Sequence, residues 1–224
     1  MSVRIGVLAS GRGSNFAALA AAASAGTLAA RVACLITDNP AAGALAIASE
    51  YAVPAVVVDP GPRRARVSPA AEVQIVSALG EHGVDLVCLA GFMRIVGPVL
   101  LAAFPRAILN IHPSLLPSFP GLESPAQALT HGVKVSGCTV HYVDAGIDSG
   151  PIVLQAAVPV QDDDTPSSLA ARILEQEHSL YVQAVRLWAA GRLEIDGRRV
   201  RVRPQARAPL PAGGAPESFG RKPR

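Results

Sequence analysis

The sequence predicts an α/β protein: a Rossmann-like, doubly wound, mostly parallel sheet with antiparallel strands in the C-terminal half. Three observations predict it. Short runs of Val, Ile and Leu alternate with helical stretches from residue 3 to residue 89, the order that builds parallel βαβ units. Half of the 224 residues are hydrophobic but only 4% are aromatic, a composition suited to buried strands under small-residue helices. A glycine turn, Gly11-Arg12-Gly13, separates the first strand from the first helix.

In order, Val3–Leu8 reads as a strand, and an Ala-rich helix follows to about residue 25, stopped at Gly26. Residues 31–36 read as a strand, 41–51 as a helix and 55–58 as a third strand. Residues 69–82 carry Val73, Ile75, Val76 and Leu79 at helical spacing. Residues 84–89 form an apolar run expected at the sheet centre, buried on both faces. Beyond it, 107–111 is strand-like and enters His112-Pro113-Ser114-Leu115-Leu116-Pro117-Ser118-Phe119-Pro120-Gly121. So many prolines exclude regular structure and require an ordered loop at a strand end. Residues 136–143 and 151–158 alternate with period two and read as antiparallel strands joined through 144–150. Thr165 and Pro166 are an N-cap and first helical residue, opening a helix that ends near Gly191. Residues 192–195 and 198–202 flank Asp196-Gly197, predicting a hairpin with a type I′ turn.

Residues 1–203 thus read as one domain, and 204–224 as a basic tail rich in Pro, Gly and Ala that is expected to be disordered. The net charge of +3 comes from that end: residues 192–224 hold nine Lys or Arg against three Asp or Glu, and residues 1–191 hold eleven against fourteen. A nucleic-acid stripe is open only there, and a solvated tail is the plainer reading. Cys34, Cys88 and Cys138 lie in separate apolar runs without C-x-x-C spacing, as buried thiols of a reducing compartment would. The histidines lack zinc-ligand spacing, so no metal is expected. With no signal-peptide pattern and no apolar run of ~20 residues, the expectation is a cytoplasmic protein without membrane or nucleic-acid partners. Monomer and homodimer both remain open.

Five segments carry candidate chemistry. The turn at Gly11–Gly13 with Ser14 and Asn15 places backbone N–H groups at a helix start, where a phosphate binds. A dinucleotide fingerprint needs a third glycine where Phe16 stands, although Asp38 after the second strand keeps a NAD-binding reading alive. Asn110 and His112 share one side of an extended segment at the rim where ligands sit in open α/β sheets. An amide and an imidazolium there can hold an oxyanion. Asp148, in a glycine-containing loop, would raise the imidazole's pKa if it lay beside the ring. Met93, Ile95 and Val96 can wall a flat ligand. Glu177 lies mid-helix.

Taken together, the Gly13-Ser14-Asn15 turn, the run 89–95, the run 110–117 and the run 148–152 resemble the phosphoribosylglycinamide formyltransferase family of purine synthesis, over residues 3 to about 202. The resemblance implies formyl transfer from 10-formyltetrahydrofolate to a small phosphorylated amine, with an N-terminal half that holds the acceptor phosphate. It makes Asn110, His112 and Asp148 the catalytic trio and Gly13, Ser14 and Asn15 the phosphate loop. Leu174 and Glu177 lie against the acceptor. Met93, Arg94, Ile95 and Val96, with Asp144, Ala145, Gly146, Ile147 and Asp148, contact folate. The chain departs from the family pattern at Leu122-Glu123-Ser124-Pro125, where many members carry a histidine. It also departs at Ser68, where the family's folate-carboxylate arginine stands. Arg63, Arg64 and Arg66 are near but out of register, and Arg66 is the candidate. Related formyl enzymes that act on tRNA or release formate carry extra domains absent from this pattern.

Overall fold

The computed structural model describes residues 2–62 and 65–204; Arg63, Arg64 and the expected tail from residue 205 onward lie outside the described residues. The elements run β1 (Val3–Leu8), α1 (Ser14–Ser24), β2 (Ala30–Thr37), α2 (Ala44–Glu50), β3 (Ala55–Val57), α3 (Pro69–Glu81), β4 (Leu86–Leu89), α4 (Pro98–Ala103), β5 (Ile108–His112) and α5 (Ser124–Thr130). They continue with β6 (Val135–Tyr142), β7 (Ile152–Pro159), α6 (Pro166–Ala189), β8 (Leu193–Asp196) and β9 (Arg199–Val202). The strands form one sheet in the order β3-β2-β1-β4-β5-β6-β7-β9-β8. From β3 to β5 all neighbours are parallel, and β5–β6 and β6–β7 are antiparallel. The alternation of the first half therefore builds the parallel part, and the period-two runs of the second half build the antiparallel part.

The order reverses between β1 and β4, and the carboxyl ends of these strands mark the rim where ligands sit in open α/β sheets. Strand pleating divides the core. Ile5 and Val7 of β1, Leu86 and Cys88 of β4, and Leu109 and Ile111 of β5 join one cluster with α1, α2, α5 and α6. Leu8, Val87, Leu89 and Ile108 face the other way, into a cluster with α3 and α4. Asn110 and His112 share the Ile108 side by the same alternation. α3 comes close to the sheet because residue 6 is glycine: a Cβ there would lie 2.5 Å from Leu79 Cδ2. On the opposite face, α6 is pinned by the buried Tyr181, whose hydroxyl lies 3.0 Å from the Leu89 carbonyl oxygen and 2.9 Å from that of Leu109. Leu89 ends β4, and Leu109 lies near the start of β5. Thr165 caps α6 as expected, in a reciprocal pair with Ser168.

Several expectations are corrected. β4 begins at Leu86, not residue 84, because Asp85 accepts the Arg4 backbone N–H through its side chain instead of entering the core. α2 starts at Ala44 because Asn39 first closes a turn on the Ala41 N–H at 2.9 Å. Val73 is 56% exposed, on the outer side of α3, whereas Ile75 and Leu79 are buried. Asp196 pairs with Arg199, which makes the hairpin turn Gly197-Arg198. Only its glycine has positive φ, the pattern of a type II′ turn rather than I′. The hairpin is also part of the main sheet, since β9 pairs with β7. The short helices α4 and α5 were not expected, because six and seven residues show too little periodicity to read.

Candidate active site

β5 delivers Asn110 and His112 to one face, and the 143–150 loop folds back over that face after β6. Asp148 meets His112 there, with 3.3 Å between Oδ2 and Nδ1. Its other oxygen lies 3.5 Å from Asn110 Nδ2, which donates to it. Asp148 is held at φ 49°, a left-handed conformation costly for an aspartate, while the Gly121 N–H donates to its Oδ2 at 2.8 Å. Burial pushes the Asp148 carboxyl up, but His141, the Gly121 amide and His112 together bring it below its ordinary value. It is therefore a carboxylate at neutral pH.

The imidazole differs from expectation. Burial pulls the pKa of His112 below its ordinary value, and the Phe119 carbonyl and Asp148 only partly offset this, with His141 adding to the fall. Asp148 alone would have raised it, as the sequence reading anticipated, but a ring only 5% exposed loses more by desolvation. The Nε2 edge is also occupied: it donates to the Phe119 carbonyl at 2.9 Å and lies 3.0 Å from Ser124 Oγ. Those partners sit in the turn 119–123, where Phe119, Gly121 and Glu123 all have positive φ. A reacting carbonyl reaches Nε2 only by displacing the Phe119 contact.

One residue of the cluster escaped the sequence reading. His141 stands directly opposite Asn110 across β5–β6. Its Nδ1 donates to the Tyr142 carbonyl at 2.8 Å, and its Nε2 lies 3.1 Å from Asn110 Nδ2 and 3.6 Å from Asp148 Oδ1. The amide is thereby oriented by a second imidazole. The only sequence signal was a polar residue within an apolar strand, and its meaning depends on strand register. Thr139, opposite His112, clamps the proline-rich loop: its hydroxyl donates to the Ser114 carbonyl at 2.6 Å and accepts the Leu116 N–H at 3.0 Å.

The glycine turn lies at the carboxyl end of β1. Gly13 is the N-cap of α1 at φ 80° and provides no side-chain cap, which leaves first-turn N–H groups available to an anion. A Cβ at Gly13 would lie 2.8 Å from both Cα and Cβ of Ala44, so only glycine fits. Ser14 is half-buried. Asn15 is not a free amide donor for this cradle: its Nδ2 donates to Glu177 Oε2 at 2.7 Å. Burial pushes the Glu177 carboxyl above its ordinary value, partly opposed by Asn15. Leu174 lies half-buried one turn earlier on α6.

The 93–96 segment is fastened from several directions. The Met93 N–H donates to Ser10 Oγ at 2.9 Å, which joins this segment to the residue preceding the glycine turn. Arg94 Nε donates to Asp38 Oδ2 at 2.7 Å. That pairing engages the carboxylate on which a NAD-binding reading relied. Ile95 exchanges backbone bonds with Ala65 and Val67 on either side of Arg66, whose side chain is exposed. The buried Glu72 then accepts the Gly97 and Val99 N–H groups, capping α4. Met93 is 60% exposed, whereas Val96 packs into the α3–α4 core and offers a ligand only its backbone. In the 143–150 loop, Asp144 Oδ1 accepts from Gly146 N and Ser149 Oγ, and Ala145, Gly146 and Ile147 are exposed. No group of three or more His, Cys, Asp or Glu suited to a metal ion occurs among the described residues, and none of their helices is long and apolar enough to cross a membrane.

The formyl transferase family matches residues 3–185, the stretch that holds this amide, imidazole and carboxylate. The chain belongs to this family. Among formyl transferases it is 45% identical to a Mycobacterium tuberculosis phosphoribosylglycinamide formyltransferase over 195 residues, covering 87% of this chain and 89% of that protein. It is 40% identical to the Bacillus subtilis phosphoribosylglycinamide formyltransferase over 183 residues, 82% of this chain and 93% of that one. A crystal structure of glycinamide ribonucleotide transformylase 1 from Symbiobacterium toebii superposes with a TM-score of 0.86 at 53% identity, covering 90% of this chain and 94% of that one. The departures at 68 and 122–125 thus lie within a formyl transferase framework.

Proposed function

We propose that the chain transfers the formyl group of 10-formyltetrahydrofolate to the amine of 5-phosphoribosylglycinamide, in purine biosynthesis. The observation that carries the reading is the meeting of Asn110, His112 and Asp148 beside the uncapped start of α1. The full-length relatives of that name support it. The substrates are small molecules, and the acceptor phosphate takes the N–H groups at Gly13–Asn15. Glu177, oriented by Asn15, faces the glycinamide amine, with Leu174 beside it. Folate lies between the Met93–Val96 segment, with Arg94 fixed by Asp38, and the 144–148 loop; Arg66 is placed to meet its carboxylate end.

The acceptor nitrogen attacks the formyl carbon, and the carbonyl π pair moves to oxygen. Asn110 Nδ2 and His112 stabilise that oxyanion. Charge growing on that oxygen and the adjacent Asp148 both favour the imidazolium as the transition state forms. On collapse the C–N10 bond breaks and its electron pair takes a proton from His112; the amine's proton passes to Asp148, which returns it to the ring, so both side chains end as they began. No step requires a metal.

The test is acceptor dependence. Full-length protein is mixed with 10-formyltetrahydrofolate, with and without 5-phosphoribosylglycinamide, and formylated acceptor and free formate are both measured. Formylated acceptor appearing only with the amine present is expected. Formate release at the same rate without acceptor would assign the chain to hydrolysis instead.

A further inference from the structure

The α6 face of the sheet holds a cavity of about 380 Å3 that none of the candidate site residues lines; its walls are Arg106, Tyr142, Trp188, Gly191, Leu193 and Ile195. It lies where the C-terminal end of α6 and the β8–β9 hairpin meet the sheet. Arg106 precedes β5, and Tyr142 pairs with Leu109 near the start of that strand, so the cavity is at the opposite end from His112. Alternation along β6 also turns Tyr142 to the opposite face from His141.

Its walls are those of a ligand site. The volume falls within the range of small-molecule pockets, roughly 300–1,000 Å3. Trp188, Leu193 and Ile195 are only partly buried, and their apolar surface lines the space. Two polar groups lack internal partners. Tyr142 is only 5% exposed as a residue, and its solvent-reached hydroxyl makes no hydrogen bond among the described residues, which leaves it free for a guest. Arg106, the one charged residue in the lining, is exposed at its mouth and has no carboxylate partner among the described residues. Its guanidinium is near enough to oppose the rise that burial imposes on the Tyr142 hydroxyl, which is pushed up to about 12. A cation and a neutral donor beside an indole and two aliphatic side chains suit one kind of guest: a planar apolar body with a single negative group.

We infer that the cavity bounded by Arg106, Tyr142 and Trp188 is a second binding site, separate from the formyl transfer site, for a small aromatic carboxylate. The anion lies between the guanidinium and the phenol, and the ring lies against Trp188.

The chain supplies its own probe, because Trp188 is its single tryptophan. Full-length protein is titrated with benzoate while tryptophan emission is followed, with benzamide as the uncharged isostere. A saturable change is expected with benzoate. Arg106→Gln and Tyr142→Phe should each weaken its midpoint roughly tenfold or more, the loss of one charge-assisted contact, and benzamide should bind no better to wild type than benzoate does to Arg106→Gln. The inference is overturned if emission changes only linearly with benzoate, if Arg106→Gln keeps the wild-type midpoint, or if benzamide matches benzoate. Because the readout is independent of formyl transfer, it stands or falls apart from the proposed activity.

Discussion

Replacing Asp148 with Asn removes one charge and almost no volume. With 3.3 Å between Oδ2 and His112 Nδ1, the attraction between carboxylate and imidazolium is roughly 5 kcal/mol at an effective dielectric of ~20. That is an upper bound on what Asp148 contributes, since burial already pulls the ring toward neutrality. Loss of one oxyanion-stabilising group typically costs ~10²–10³ in rate, or about 2.7–4 kcal/mol, which falls below the bound. The variant is expected to fold: the side chain keeps its volume, and an Asn carbonyl can still accept the Gly121 N–H. The prediction is a fall of ~10²–10³ in kcat for formyl transfer with little change in thermal stability. The pH dependence should move with it. Without the anion the imidazole is harder to protonate, so residual activity should rise toward more acidic pH than in wild type. A loss smaller than about tenfold in a folded variant would refute the argument. So would a large loss with an unshifted pH profile, which would leave Asp148 a structural residue of the 144–150 loop.

Other outcomes follow from the same structure. Glu177 has a raised pKa, so the folded state favours its protonated form, and stability is lost as pH climbs from the ordinary carboxylate range through the raised value. Glu177→Gln should therefore melt higher than wild type at neutral pH, with the gap closing toward pH ~4, while formyl transfer falls; a gap that widens in acid would reverse the sign of the argument. Glu72→Gln keeps one acceptor for two N–H groups, those of Gly97 and Val99, and should cost about 1–3 kcal/mol in urea unfolding. It should also raise KM for folate more than KM for the acceptor, and equal changes in both would exclude a role in shaping the 93–96 segment. Burial pushes the Cys34 thiol up to about 11 and those of Cys88 and Cys138 up to about 12. Native protein should accordingly resist alkylation at pH 8, whereas denatured protein should react at all three cysteines; rapid reaction of any one in the native state would contradict this burial.

The fold was legible where one physical signal dominated. Residues 3–89 announced parallel strands because both faces of β1 and β4 are buried, which demands apolar runs. Thr165 and Pro166 announced α6 because capping is local chemistry. Short elements left no such trace, as α4 shows: its start is fixed by Glu72 from a distant helix. The same division holds for the candidate site. Asn110 and His112 were readable as a pair because alternation along one strand is local. His141 was not, since its place opposite Asn110 depends on the register of β5 against β6. Nor was the direction of the His112 shift, which depends on how deeply the 113–124 loop covers the ring. Asn15 was readable as part of the glycine turn, but its engagement with Glu177 joins residues far apart in the chain.

The central physical claim is that one carbonyl oxygen is held jointly by Asn110 and His112 while Asp148 stays against the ring. It is tested most directly by a crystal structure of the full chain with 5-phosphoribosylglycinamide and a non-transferring analogue of 10-formyltetrahydrofolate. The account predicts the analogue's carbonyl oxygen within hydrogen-bond range, about 2.7–3.2 Å, of Asn110 Nδ2 and His112 Nε2, with the Phe119 contact to Nε2 broken. An oxygen directed elsewhere, with His112 still bonded to Phe119, would contradict it.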